Sequence, residues 1–140
     1  MSAISFDLGV KEYSVNGSYT LMFNPTDMSY VEKVFSTFEA LDGMQESFST
    51  KLTEDMNGEQ LFNVTREMDK EMRAVLDEMF GADFCKEVFK TLHVYAIADG
   101  LPVWCNLMLA IVDELDASFV AEKKKTNPRI QKYISKYTKK

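Results

Sequence analysis

Residues 101–122 read LPVWCNLMLAIVDELDASFVAE, and this stretch organises the rest of the chain. Val103, Trp104, Leu107, Met108, Leu109, Ile111 and Val112 make its first half apolar almost all the way round, with Asn106 the single strongly polar residue. In the second half Leu115 and Phe119 continue the stripe of Trp104, Met108 and Ile111, while Asp113, Glu114 and Asp116 point elsewhere. A period of 3.6 residues predicts a helix that is wrapped on all sides at first and then opens to water on one face. Such a helix belongs in the middle of a small domain. Pro102 suits its first turn, where a missing N–H costs nothing, and Asp99 is placed to cap it.

Outward from that helix, composition sets the bounds. A length of 140 residues is one domain, able to bury roughly two-thirds of its unfolded surface. The apolar run around Leu107–Val112 ends in Asp113 and Glu114 and is too short to span a membrane. The opening residues lack a basic start and carry Asp7 within their apolar part, so no signal peptide is expected and the chain is placed in a reducing cytoplasm. Cys85 and Cys105 have no CxxC partner and are expected to be buried free thiols. The net charge of −6 conceals a strong asymmetry. Residues 1–122 carry 8 basic and 22 acidic side chains, whereas residues 123–140 carry eight basic ones and no acid.

Towards the amino terminus, Ile4, Phe6 and Leu8 alternate with Ser5 and Asp7, a pattern that predicts a half-buried strand over 3–8. Asn16-Gly17 between 12–15 and 18–23 is a strong hairpin signal, because a type I′ turn needs positive φ at both central residues. A two-residue turn puts Val10, Tyr19, Leu21 and Phe23 on one face and Tyr13, Val15 and Met22 on the other. Both faces are then sticky, which suggests association. Asn24-Pro25-Thr26-Asp27 stops the strand and caps a helix with Val31, Val34, Phe35, Phe38 and Leu41 as its stripe. Gly43 ends or bends that helix, and Met44, Phe48 and Leu52 continue it. Asn57 with Gln60 forms a capping box for a helix over 59–80 whose stripe is Leu61, Val64, Met68, Met72, Val75, Leu76 and Met79. Gly81 closes it, Asp83 caps a short helix with Phe84, Val88 and Phe89, and a loop over 91–100 leads to the central helix.

The expected fold is therefore α+β and mainly α. Residues 1–122 form one domain, with an antiparallel β-sheet in 1–23 and a four- to five-helix body in 24–122. Residues 123–140 form a basic hinge followed by a helix that Pro128 starts. Ile130, Tyr133, Ile134 and Tyr137 make an amphipathic stripe there, too short to be stable without a surface to lie on.

The sequence points to no catalytic, cofactor-binding or metal-ligating residues. His93 is the single histidine and reads as an ordinary loop residue. Glu67, Asp69, Glu71, Asp77 and Glu78 read as a solvated helical face, with Asp69 and Arg73 at a favourable i,i+4 spacing. Glu-x-x-His pairs, zinc spacing, a phosphate-binding glycine loop and a nucleophile elbow are all missing. The methionines Met68, Met72 and Met79 fit a core better than an adaptable groove. An acidic body of this size repels nucleic acid, so the basic tail is assigned to protein docking. Lys123, Lys124, Lys125, Arg129, Lys132 and Lys136 would supply charge, and Ile130, Tyr133, Ile134 and Tyr137 apolar contact.

DEMFG (77–81), CKEVFK (85–90), VYAIADGLPVWCNLMLAIVDELDASF (94–119) and TNPRIQKY (126–133) together resemble the tail assembly chaperones of tailed bacteriophages that infect Gram-positive bacteria. That resemblance covers about the carboxy-terminal half. It implies a small, mostly helical, self-associating protein, working in the host cytoplasm. Such a protein holds the tape-measure protein soluble while tail subunits assemble around it, and has no active-site residues to carry over. The partners it implies are phage tail proteins, tape measure or tail tube. Two other readings remain beside it: a small acidic phage-encoded inhibitor of a host defence system, and a structural subunit of the virion.

Overall fold

The computed structural model describes residues 1–125 and is mainly helical, with an amino-terminal β-hairpin. In chain order the elements are β1 (Lys11–Val15), β2 (Tyr19–Phe23), α1 (Met28–Lys51), α2 (Gly58–Phe80), α3 (Phe84–Val88), β3 (Ile97–Ala98), β4 (Leu101–Pro102) and α4 (Val103–Lys124). The two sheets are separate antiparallel pairs, β1 with β2 and β3 with β4. No helix among the described residues is long and apolar enough to cross a membrane. The expected helix after Pro128 lies outside the described residues, and with it Arg129, Ile130, Lys132, Tyr133, Ile134, Lys136 and Tyr137.

The first hairpin turns at Asn16 and Gly17, with φ of 50° and 71°, as the sequence requires. Its register differs from the expected one by a single residue. Val15 pairs with Tyr19 rather than Ser18, so Tyr13 faces Leu21 and Lys11 faces Phe23. Ser18 is left as an extra turn residue, its N–H donating to the Val15 carbonyl at 3.0 Å. One added residue moves every side chain of one strand to the opposite face. Tyr13, Val15, Tyr19, Leu21 and Phe23 consequently share a single apolar face, and the other carries Glu12, Ser14, Thr20 and Met22. Two sticky faces become one.

The strand expected over 3–8 does not form. Ile4, Phe6 and Leu8 are 91%, 76% and 65% exposed, and the first strand begins at Lys11. Gly9, at a φ of 70°, turns the chain just before it, and Asp7 Oδ1 accepts the Gly9 N–H at 2.8 Å. Asn24 Nδ2 then donates to the Leu8 carbonyl at 2.7 Å and anchors the root of this arm.

Asp27 caps α1, its Oδ1 accepting from the Ser29 N–H at 3.0 Å and the Ser29 hydroxyl at 2.8 Å. The helix runs unbroken through Gly43, so the two expected pieces are one rod that buries Val34, Leu41 and Phe48. Phe35 stands 50% exposed and drops out of the stripe. The capping box opens α2: Gln60 N–H donates to Asn57 Oδ1 at 2.8 Å and Asn57 N–H to Gln60 Oε1 at 3.0 Å. Met68 and Met72 are buried in the core, together with Leu76 and Phe80.

α4 packs against α1, where the Trp104 indole N–H donates to Gln45 Oε1 and Phe38 meets the Trp104 ring edge-on at 5.4 Å. Its buried side is Trp104, Cys105, Met108, Ile111, Leu115 and Ser118. Leu109 and Ala110 reach solvent, so this helix lines the core from one side and is not wrapped all round. Asp99 does not cap it. With φ of 55° at Asp99 and 80° at Gly100, these two residues form the turn between β3 and β4. The first N–H groups of α4 are instead satisfied by that hairpin and its approach, Val103 donating to the Ala96 carbonyl at 2.7 Å and Trp104 to the Val94 carbonyl at 3.0 Å. Helical structure also extends past 122 to Lys124, so Lys123 and Lys124 form its last turn rather than a hinge.

Candidate interaction surface

The hairpin does not close fully onto the helices, and a groove of about 500 Å³ lies between them. Tyr13, Val15, Leu21 and Phe23 of the hairpin form one wall. Val103, Leu107, Ala110 and Ile111 of α4 form the opposite wall, and Val88, Phe89 and Leu92 form the floor at the end of α3. Polar groups come from Ser14, Asn16, Asn106 and Glu114. Asn106 is already engaged, its Nδ2 donating to the Ala98 carbonyl at 2.9 Å and holding the β3–β4 hairpin against α4. The groove depends on the Ser18 insertion, since only the shifted register turns Tyr13 and Val15 inwards.

An aromatic column supports this wall. Phe23 stacks on Tyr13 at 4.5 Å and on Tyr30 at 4.3 Å, tying the hairpin to α1. Burial pushes the Tyr30 hydroxyl up to about 12, with the neighbouring Tyr13 adding to the shift. The Tyr13 hydroxyl is buried with no hydrogen-bond partner among the described residues.

Glu67, Glu71 and Glu78 are exposed on α2 as expected of a solvated face, but Asp69 and Asp77 are not, and they belong to a polar cluster beneath the floor. Asp69 is buried, and Val94 N–H donates to its Oδ1 at 2.7 Å. Arg73 Nε donates to Asp69 Oδ2 at 2.9 Å, and its Nη2 reaches the carbonyls of Lys90 and Leu92 at 2.8 and 2.6 Å. Asp77, half-buried, accepts the Cys85 N–H at 2.8 Å and does the work expected of Asp83, whose side chain makes no capping bond. These carboxylates are engaged with backbone groups and shape the 81–94 segment. The signal was in the sequence: Asp69 falls on the helical row of Met72, Leu76 and Phe80 at i, i+3, i+7 and i+11.

Cys85 and Cys105 are buried free thiols. Burial raises the Cys85 thiol well above its ordinary range, and the Asp77 carboxylate adds to the shift. His93 Nδ1 meets the Tyr95 hydroxyl, with the two rings 5.0 Å apart. Among the described residues no group of three His, Cys, Asp or Glu side chains is placed to hold a metal ion.

Of the basic residues assigned to docking, Lys123 and Lys124 lie in the last turn of α4, where cations complement the negative end of the helix. Lys125 Nζ pairs with Glu122 Oε1 at 3.1 Å in an exposed contact. Lys123 also borders a second cleft, formed where Asp7, Leu8 and Gly9 pass Asn24–Thr26 and Phe119. The structure thus separates the apolar groove from these three lysines, which sit at the far end of α4 beside the root of the arm. No protein-family model, curated protein sequence or solved structure matches this chain.

Proposed function

We propose that the protein works by reversible protein–protein contact, as a tail assembly chaperone that keeps the tape-measure protein or tail-tube subunits soluble during phage tail morphogenesis in the host cytoplasm. The observation that carries this reading is the groove of about 500 Å³ between the first hairpin and α4, open to solvent and walled mainly by apolar side chains. A client helix would lay apolar side chains between Val15 and Leu107, with specificity from the polar groups of Asn16 and Glu114. The acidic body, net −14 over residues 1–122, keeps a complex with an aggregation-prone client in solution. Catalysis has no part in this proposal. The test is co-expression with the tape-measure protein that this reading assigns as client. A soluble complex that Leu107→Glu abolishes supports the reading, and a client equally insoluble with and without the protein overturns it.

A further inference from the structure

The amino-terminal arm and the groove answer one another. Ile4, Phe6 and Leu8 alternate with polar residues, so an extended arm presents all three on one side at about 6.8 Å spacing. Side chains of this kind are ordinarily half-buried, yet here they are 91%, 76% and 65% exposed, and none of residues 1–10 lines the groove of its own chain. The root of the arm is fixed away from that groove by the Asp7–Gly9 turn and the Asn24–Leu8 bond. It sits instead beside Phe119 and Lys123, near the end of α4. β1, which borders the groove, pairs with β2 on one edge and with no other strand among the described residues.

We infer that the occupant of the groove in the free protein is the arm of a second copy of this chain, the two copies exchanging arms about a two-fold axis. An arm laid along the open edge of β1 gains backbone hydrogen bonds and drops every second side chain into the groove. Exchange between copies is isologous, so two arms and two grooves close on each other without further growth. The size is right. An extended segment of eight residues exposes roughly 1,200 Å², and burying half to two-thirds of two such arms removes about 1,200–1,600 Å² from the arms alone, so with the groove surface they cover the total exceeds the roughly 1,200 Å² at which stable interfaces begin.

A client and a neighbour's arm then compete for one surface, but the dimer itself does not depend on the client reading. Failure to solubilise the tape-measure protein would leave the dimer standing, and a monomer would leave the client reading standing.

Light scattering behind size exclusion on the full chain at tens of micromolar tests the exchange, with circular dichroism confirming that each variant is folded. The wild-type chain is expected to be a dimer. Phe6→Asp, on an exposed side chain, and Leu107→Glu, in the groove, are each expected to weaken dimerisation at least about a hundredfold. Should Leu107→Glu not fold, Val15→Glu removes the groove from the hairpin side. Mixing the arm variant with the groove variant restores one intact arm and one intact groove, so a heterodimer should return. A monomeric wild type, a dimer that survives Phe6→Asp, or variants that do not complement would each overturn the inference. A dimer lost on deleting residues 126–140 but kept by Phe6→Asp would assign the contact to that segment instead.

Discussion

Asp69 and Arg73, one turn apart on α2, grip the same loop from two directions. The carboxylate takes the Val94 N–H and the guanidinium takes the Lys90 and Leu92 carbonyls, while the two side chains bond each other at 2.9 Å. Val94 is fully buried, so its N–H has no recourse to water once the carboxylate is gone. Asp69→Ala is expected to cost about 2–3 kcal/mol in urea unfolding, the worth of a charged hydrogen bond at a buried donor. Arg73→Lys keeps the charge but not the fork, and should loosen residues 90–94 in amide exchange while costing less.

Gly81 closes α2 at a φ of 137° and a ψ of 151°, a region open essentially to glycine alone. A Cβ added there would also stand 2.2 Å from the Tyr19 hydroxyl, which bonds the Phe80 carbonyl at 3.4 Å. Gly81→Ala should therefore cost about 1–3 kcal/mol in backbone strain alone, and more while the hydroxyl is present. The double variant with Tyr19→Phe separates the two effects. Part of the loss should return when the hydroxyl is removed, and strict additivity would show that the tyrosine moves aside freely.

Ser18 marks the point at which neighbours in sequence no longer determine the structure. The capping box at Asn57, the stop at Asn24–Asp27, the buried thiols and the methionine core were legible because each rests on neighbours in sequence. The hairpin register was not, because Asn16-Gly17 fits both a two-residue and a three-residue connection, and packing of Phe23 on Tyr30 of α1 and of Tyr19 on Phe84 of α3 chooses between them. Asp99-Gly100 was missed as a turn for a related reason: a cap and a turn favour the same residue types. The groove was illegible for the same cause, since it exists only in the shifted register. Deleting Ser18 leaves Asn16-Gly17 as a two-residue turn with Val15 still opposite Tyr19, so the native pairing is expected to survive. The near-ultraviolet signal of the Tyr13–Phe23–Tyr30 column should then be kept, with a change in stability of no more than about 1 kcal/mol. Loss of that signal would show that the three-residue turn itself is needed to seat the hairpin.

The alkaline limb of stability follows from the buried thiols Cys85 and Cys105, both raised by burial, and from the half-buried phenol of Tyr30. Both Cys85 and Tyr30 hold their protons more tightly when folded, the thiol above an ordinary value of 9.0 and the phenol at about 12 against 10.0. The unfolded chain therefore releases protons that the folded chain keeps, and stability falls as pH rises past the unfolded values. Stability should be level up to about pH 9 and then decline by about 1.4 kcal/mol per pH unit for each such group, with Tyr30 joining above pH 10. Urea titrations between pH 8 and 11 check this, and Cys85→Ala should flatten the first part of the decline. A thiol reagent should likewise modify Cys85 only as fast as the fold opens, because neither its exposure nor its ionisation favours attack.

Tyr13 offers the substitution whose sign is least intuitive. Its ring is part of the aromatic column and of the groove wall, but its hydroxyl is buried with no hydrogen-bond partner among the described residues. A phenol oxygen in that position has lost its water and gained no partner among the described residues, a cost of about 1–3 kcal/mol carried by the folded state. Tyr13→Phe keeps the stacking on Phe23 and removes the stranded group. It should raise stability, by up to about 1 kcal/mol once the lost polar contacts of the unfolded chain are counted. A protein that retains such a group at the wall of an open groove resembles others in which local stability is traded for binding. The same variant should therefore be measured twice, in urea unfolding and in capture of the proposed tape-measure client. Higher stability with weaker capture would assign the hydroxyl to a hydrogen bond with the occupant of the groove. Higher stability with unchanged capture would leave only the ring engaged there, and lower stability would show that the hydroxyl is already paired within the chain.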